Sequence, residues 1–147
     1  MTRRLEDLRD GLVLHGIVVA TGCAFRFVSR RDRRMREALV GRPVTYQFRA
    51  GRSARRLVLE GGQAKTRGGA GSADLEVLVL DLPGVLRHLA AVPNDMLGLK
   101  TTNKIDTAGN LSHLFRFGYL GALVGVYLRR QLGDDTALGR LLRATHA

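Results

Sequence analysis

The sequence predicts an α+β fold: a five-stranded, largely antiparallel sheet covered on one face by helices, with an extra N-terminal helix and a long C-terminal helix. Three observations predict it. Val44, Tyr46 and Phe48 alternate with Thr45, Gln47 and Arg49, the period-two rhythm of a half-buried strand. Gly61-Gly62 joins two further strand-like runs as a hairpin signal. At both ends of the chain the alternation gives way to three- and four-residue apolar spacing or to unbroken apolar runs. A chain of 147 residues suits one core, read here as a single domain over 1–147, with a helical extension at 1–40 and the core at 41–132.

The elements follow in order. Leu5, Leu8, Leu12, His15 and Val19 predict one face of a long first helix, with acids in its early turns where the helix dipole favours them. A second helix over 29–39 has a narrow stripe of Val28, Met35 and Leu39 among Arg30, Arg31, Arg33, Arg34 and Arg36. Gly41 and Pro43 break it, and the strand at 44–49 follows. Gly51 to Ser53 turns the chain into a strand at 56–60, and Gly61-Gly62 leads to one at 63–67. After a loop at 68–72, a fourth strand over 75–80 is expected to be buried on both faces toward its end. Asp81 with Pro83 starts a helix on Val85, Leu86 and Leu89, which Pro93 ends. A short turn or helix at 94–99 and a last strand at 103–107 come next, and then Asn110 caps a closing helix at 111–132.

Charge sets the range of partners. The 24 Lys and Arg against 13 Asp and Glu give +11, and 21 of the 24 are Arg. Such a balance attracts polyanions, either an anionic membrane or nucleic acid. Single-strand binders interleave basic residues with aromatic stacking platforms, whereas this chain has no Trp and few aromatics. A basic nucleic-acid-binding domain is therefore the alternative reading. The cluster Arg30, Arg31, Arg33 and Arg34, with Phe25 and Phe27 just before it, is the expected membrane-facing surface.

Residues 12–28 are apolar but interrupted by His15 and Arg26, and at 17 residues the run falls short of a spanning helix. Ala20-Thr21-Gly22-Cys23 has the look of a lipidation box, yet Glu6, Asp7 and Asp10 cancel Arg3, Arg4 and Arg9 where a leader needs positive charge. Cys23 is the single cysteine, which excludes an internal disulfide framework and suits a reducing cytosol with peripheral membrane association. Set in an apolar run, it is expected to be a buried small hydrophobe.

Catalytic chemistry finds no constellation. The four His are far apart, so no metal-ligand spacing arises and no metal or cofactor is expected. Gly61 to Thr66 ends in the Lys-Thr of a phosphate loop, but Ala64 stands where Gly belongs and the segment precedes a strand. Ser72 lacks the setting of a nucleophile elbow, and Glu76, Asp81, Asp95 and Asp106 fall on separate elements. His113, near an apolar face, is assigned a structural role. From Phe117 to Leu128 the closing helix is apolar on every face, too short to cross a bilayer, and so must be covered by protein, a partner, a second copy in a homodimer, or a ligand. Gly121 and Gly125 permit close helix approach there.

The order of elements over residues 35–128 resembles the sterol carrier protein type 2 family. Lys104-Ile105-Asp106-Thr107-Ala108-Gly109-Asn110-Leu111 is similar to that family's last strand and its turn into the final helix, and Asp81 to Leu89 occupies the place of its acidic helix start. Thr107 and Asn103 depart from the pattern, the Gly-Lys turn expected near residues 91–93 is missing, and both terminal helices are longer. The resemblance implies a non-catalytic carrier of an acyl or isoprenoid chain, sterol- or quinone-like, in a hydrophobic tunnel between the sheet and the last helices. By residue type and face the candidates to line it are Tyr46, Phe48, Leu57, Leu59, Val77, Val79, Leu86, Leu89, Ile105, Leu114, Phe117 and Leu120. The competing class is an interaction subunit that buries its apolar helices in a partner.

Overall fold

The computed structural model describes residues 2–132. The end of the chain included in the single-domain reading, residues 133–147, lies outside the described residues. Ten elements run α1 (Thr2–Ser29), α2 (Arg33–Leu39), β1 (Val44–Ala50), β2 (Ser53–Glu60), β3 (Gln63–Gly68), β4 (Leu75–Val79), α3 (Leu82–Ala91), α4 (Met96–Thr101), β5 (Ile105–Gly109) and α5 (Leu111–Leu132).

The strands order as β3-β2-β1-β4-β5 in one mixed sheet. Pairings β1–β2, β2–β3 and β4–β5 are antiparallel, while β1 and β4 run parallel, with Tyr46 opposite Leu75 and Phe48 opposite Val77. The sheet is thus largely antiparallel, in three of its four pairings, with β1–β4 the parallel one. After β3 the chain crosses the outer face to the far side of β1 through residues 69–74. Buried Gln47 holds that crossover: its Oε1 accepts from Gly71 N at 2.8 Å and its Nε2 donates to Glu76 at 3.3 Å. Asp74 fixes its end, accepting from Thr45 N at 2.7 Å and donating its own N–H to the Thr45 carbonyl at 2.9 Å.

Turn chemistry follows from the sequence. Gly61 and Gly62 both have positive φ, 59° and 74°, as the tight β2–β3 hairpin requires of its two central residues. Asp32, Asp81 and Asp95 cap α2, α3 and α4 by accepting from Arg34 N, Gly84 N and Gly98 N. Asn110 accepts from Ser112 N at 2.9 Å at the start of α5.

The inner face of the sheet presents Val44, Tyr46, Leu57, Leu59, Ala64, Leu75, Val77 and Ile105, all buried. Helix α1 lies over β2 and β3, and the buried residues along it are Gly11, Leu14, Val18, Gly22, Phe25, Val28 and Ser29. This is not the predicted stripe: Leu5, Leu8 and Leu12 are exposed. A helix apolar nearly all round does not specify its own buried face, and here tight approach to the sheet decides it. A Cβ on Gly11 would collide with Ser53, and one on Gly22 would stand 2.7 Å from the Thr66 methyl. With Gly22 facing the sheet, Cys23 turns outward and is exposed rather than buried.

Helix α5 buries Leu114, Gly118, Leu120 and Tyr127, but Phe115, Tyr119 and Val126 stay exposed on its other side. Arg116 anchors its first turns by donating to the carbonyls of Ala38, Leu39 and Arg42. Leu78 of β4 and Leu80 just beyond it are exposed, so that strand is not buried on both faces toward its end.

Candidate binding cavity

Between α1, which covers the β2–β3 half of the sheet, and the α3–α4–α5 group over the other half, a seam remains. It holds a cavity of about 290 Å³. Its floor is the middle of the sheet: Tyr46 and Phe48 from β1, Leu57 from β2, Val77 and Val79 from β4, and Ile105 from β5. Leu114, Phe117 and Gly121 of α5 form one wall, with Leu82, Val85 and Leu89 of α3 beside them. Helix α1 forms the opposite wall with Leu14, Ile17, Val18, Thr21 and Phe25. Pro93, Asn94, Met96 and Leu99 complete the lining.

Phe117 is the hub of the inner end. Its ring centroid lies 5.4 Å from Tyr46, 5.4 Å from Phe48 and 5.9 Å from Phe25, tilted against each, a favourable aromatic arrangement. The deep residues Leu14, Phe25, Tyr46, Leu57, Leu99 and Leu114 are nearly inaccessible. Ile17 and Thr21 on one side, with Pro93, Asn94 and Gly121 on the other, are half-buried or exposed and mark the opening.

Among the described residues no charged side chain lines the cavity, and Tyr46 is its one titratable group. Burial pushes the Tyr46 phenol up to about 12, the Arg116 guanidinium partly offsetting this and Asp74 adding to it. Its hydroxyl donates to the His113 carbonyl at 2.7 Å, and Thr21 Oγ1 donates to the Ile17 carbonyl at 2.8 Å. Both hydroxyls are thus committed to backbone oxygens. Among the described residues no three His, Cys, Asp or Glu side chains come together as a metal site.

Nine of the twelve candidate lining residues reach this cavity: Tyr46, Phe48, Leu57, Val77, Val79, Leu89, Ile105, Leu114 and Phe117. Leu59 and Leu120 are instead fully buried core outside it. Leu86 is corrected more sharply, being 42% exposed. α3 turns Leu82, Val85 and Leu89 inward at three- and four-residue spacing, which leaves Leu86 roughly 65° from the centre of that face, on its solvent edge.

Phe25, expected at a membrane surface, is 2% exposed and lines the cavity, so that expectation is corrected. Phe27 is 46% exposed, its ring edge-on to Tyr127 and covered by the Arg31 guanidinium at 4.0 Å. Arg30, Arg31, Arg33 and Arg34 are exposed around the end of α1 and the start of α2. The whole α1 wall was missed by sequence reasoning. Its signal was present in Leu14, Val18, Thr21 and Phe25, spaced by four, three and four residues.

No family model matches the chain, and no curated protein matches it. Among solved structures, one described as UbiJ-SCP2, a ubiquinone synthesis protein, aligns with a TM-score of 0.55 at 21% identity, covering 78% of this chain and 93% of that one. The fold is that of the sterol carrier protein type 2 domain. An inverting sec-alkylsulfatase from a Pseudomonas species is also similar, at TM-score 0.49 and 21% identity over 58% of this chain, which spans 14% of the sulfatase. A conserved hypothetical protein from Thermus thermophilus, suggested to be a sterol carrier protein, matches at TM-score 0.46 and 14% identity over 86% of each chain. In this sterol carrier protein type 2 fold the cavity lies under the last helix, and α1 supplies a wall of its own.

Proposed function

We propose that this chain is a non-catalytic lipid carrier, holding an acyl or isoprenoid chain in the cavity between α1 and α5. The observation that carries the reading is the cavity itself, about 290 Å³ and lined by apolar side chains. That volume is near the lower end for ligand pockets. At ~30 Å³ for a water-sized group, it takes about ten methylene-like units. A longer chain would emerge between Thr21 and Asn94.

Binding rather than catalysis is favoured by the lining. The Tyr46 and Thr21 hydroxyls each donate to a backbone carbonyl, so neither is poised as a base or nucleophile. The neighbour described as a ubiquinone synthesis protein brings isoprenoid quinone intermediates into the range of ligands worth testing.

Cargo must be collected from a membrane, and the exposed Arg30, Arg31, Arg33 and Arg34 beside half-exposed Phe27 suit reversible contact with an anionic surface. Native mass spectrometry of the purified protein tests the carrier reading. A retained amphiphile, or one taken up from vesicles, is the expected result. Protein that stays ligand-free yet binds single-stranded nucleic acid with a steep salt dependence would favour the nucleic-acid alternative instead.

A further inference from the structure

Three polar side chains line the cavity: Thr21, Tyr46 and Asn94. The first two are committed to backbone carbonyls. Among the described residues the Asn94 side chain has no hydrogen-bond partner, and it stands half-buried at the opening.

Its surroundings hold it there. Two glycines of α5 make room for it: a Cβ on Gly121 would collide with the Asn94 amide, and one on Gly118 would stand 3.3 Å from the Asn94 carbonyl oxygen. The loop that carries it is tied on both sides. Asp95 pairs with His88 Nε2 at 2.9 Å and accepts from Gly98 N at 2.9 Å, while Met96 N donates to the Asn94 carbonyl at 3.0 Å. Asn94 adopts φ 61°, a left-handed conformation that Asn tolerates better than most residues. That conformation explains why an Asn or Gly stands here. It does not explain why Gly118 and Gly121 leave room for a half-buried, solvent-accessible amide at the mouth of an apolar cavity.

We propose that Asn94 selects the ligand, its side-chain amide hydrogen-bonding a neutral polar group, a carbonyl or hydroxyl, at the outer end of a chain that fills the cavity behind it. The proposal rests on the carrier reading. An amide both donates and accepts, so it serves either group. A carboxylate at the same place would lose hydration and meet no lining cation among the described residues, so it gains less.

The test is competition of decane, 1-decanol, 2-decanone and decanoate against Nile red bound to the full chain. For the wild type, 1-decanol and 2-decanone should bind about two- to tenfold more tightly than decane, the range of one ordinary hydrogen bond, and more tightly than decanoate. Asn94→Gly keeps the left-handed backbone and removes the amide. It should erase the advantage of both polar compounds and leave decane unchanged. Asn94→Asp, an acceptor once ionised, should keep the advantage of the alcohol and lose that of the ketone. Equal affinity of all four for the wild type, or an advantage that survives Asn94→Gly, would overturn the proposal while leaving the carrier reading intact. Failure of every compound, Nile red included, to bind the wild type would overturn both.

Discussion

The Tyr46 hydroxyl donates to the His113 backbone carbonyl across 2.7 Å, tying the centre of the sheet to the first turns of α5. The bond joins a floor residue to the helix that carries Leu114 and Phe117 into the wall.

Because the phenol is pushed up to about 12 in the folded protein from 10.0, stability from Tyr46 is complete below pH 10 and is lost as pH rises through 12. The loss amounts to about 2–3 kcal/mol in all. Tyr46→Phe should cost about 0.5–1.5 kcal/mol at neutral pH and remove this part of the alkaline destabilisation. Phenolate absorbance and denaturant melts across that range check both outcomes. One of the three tyrosines should titrate last, and it should be absent from the titration of the variant.

Thr21 offers a way to fill the cavity without deleting any core. It sits at the opening on α1, and its hydroxyl serves only its own helix. Thr21→Phe should lower the affinity for a fluorescent acyl probe at least tenfold while unfolding stays cooperative and the midpoint moves little, since the ring enters existing space. Unchanged probe affinity in the folded variant would show that the probe binds elsewhere.

Arginine at the end of α1 makes a separate prediction. Arg33 pairs with Glu37 at 2.7 Å, but both side chains are well exposed, so that pair leaves the charge largely available. With each Arg near an anionic surface contributing about 1 kcal/mol, replacing Arg30, Arg31, Arg33 and Arg34 by Gln should abolish co-sedimentation with vesicles rich in anionic lipid. Added salt should weaken the wild type in the same way. Equal binding of the wild type to neutral vesicles would contradict the role given to these residues.

Much of this architecture is legible in the chain. The alternation at Val44, Tyr46 and Phe48, the paired glycines of the hairpin and the caps at Asp81 and Asn110 are local signals, and they sit where the sequence puts them. Strand partners are not local. Nothing in the pattern Leu75, Val77 and Val79 says that β4 lies parallel beside β1, a placement that depends on Gln47 and Asp74 gripping the crossover. The cavity floor was readable because strand parity fixes which side chains face inward. The α1 wall was not, because a helix apolar on several faces leaves its orientation to close packing at Gly11 and Gly22.

Occupancy of the space around Phe117 by an apolar chain can be read out by photoaffinity labelling. A fatty acyl probe with a diazirine at the far end of its chain would be irradiated with the full-length protein, and the adducts located by peptide mass spectrometry. Such occupancy predicts labels on the deep lining, Leu57, Val77, Ile105, Leu114 or Phe117, that disappear in Thr21→Phe. Labels confined to the exposed leucines of α1, Leu5, Leu8 and Leu12, or to Phe115 and Tyr119 on the outer face of α5, would contradict it.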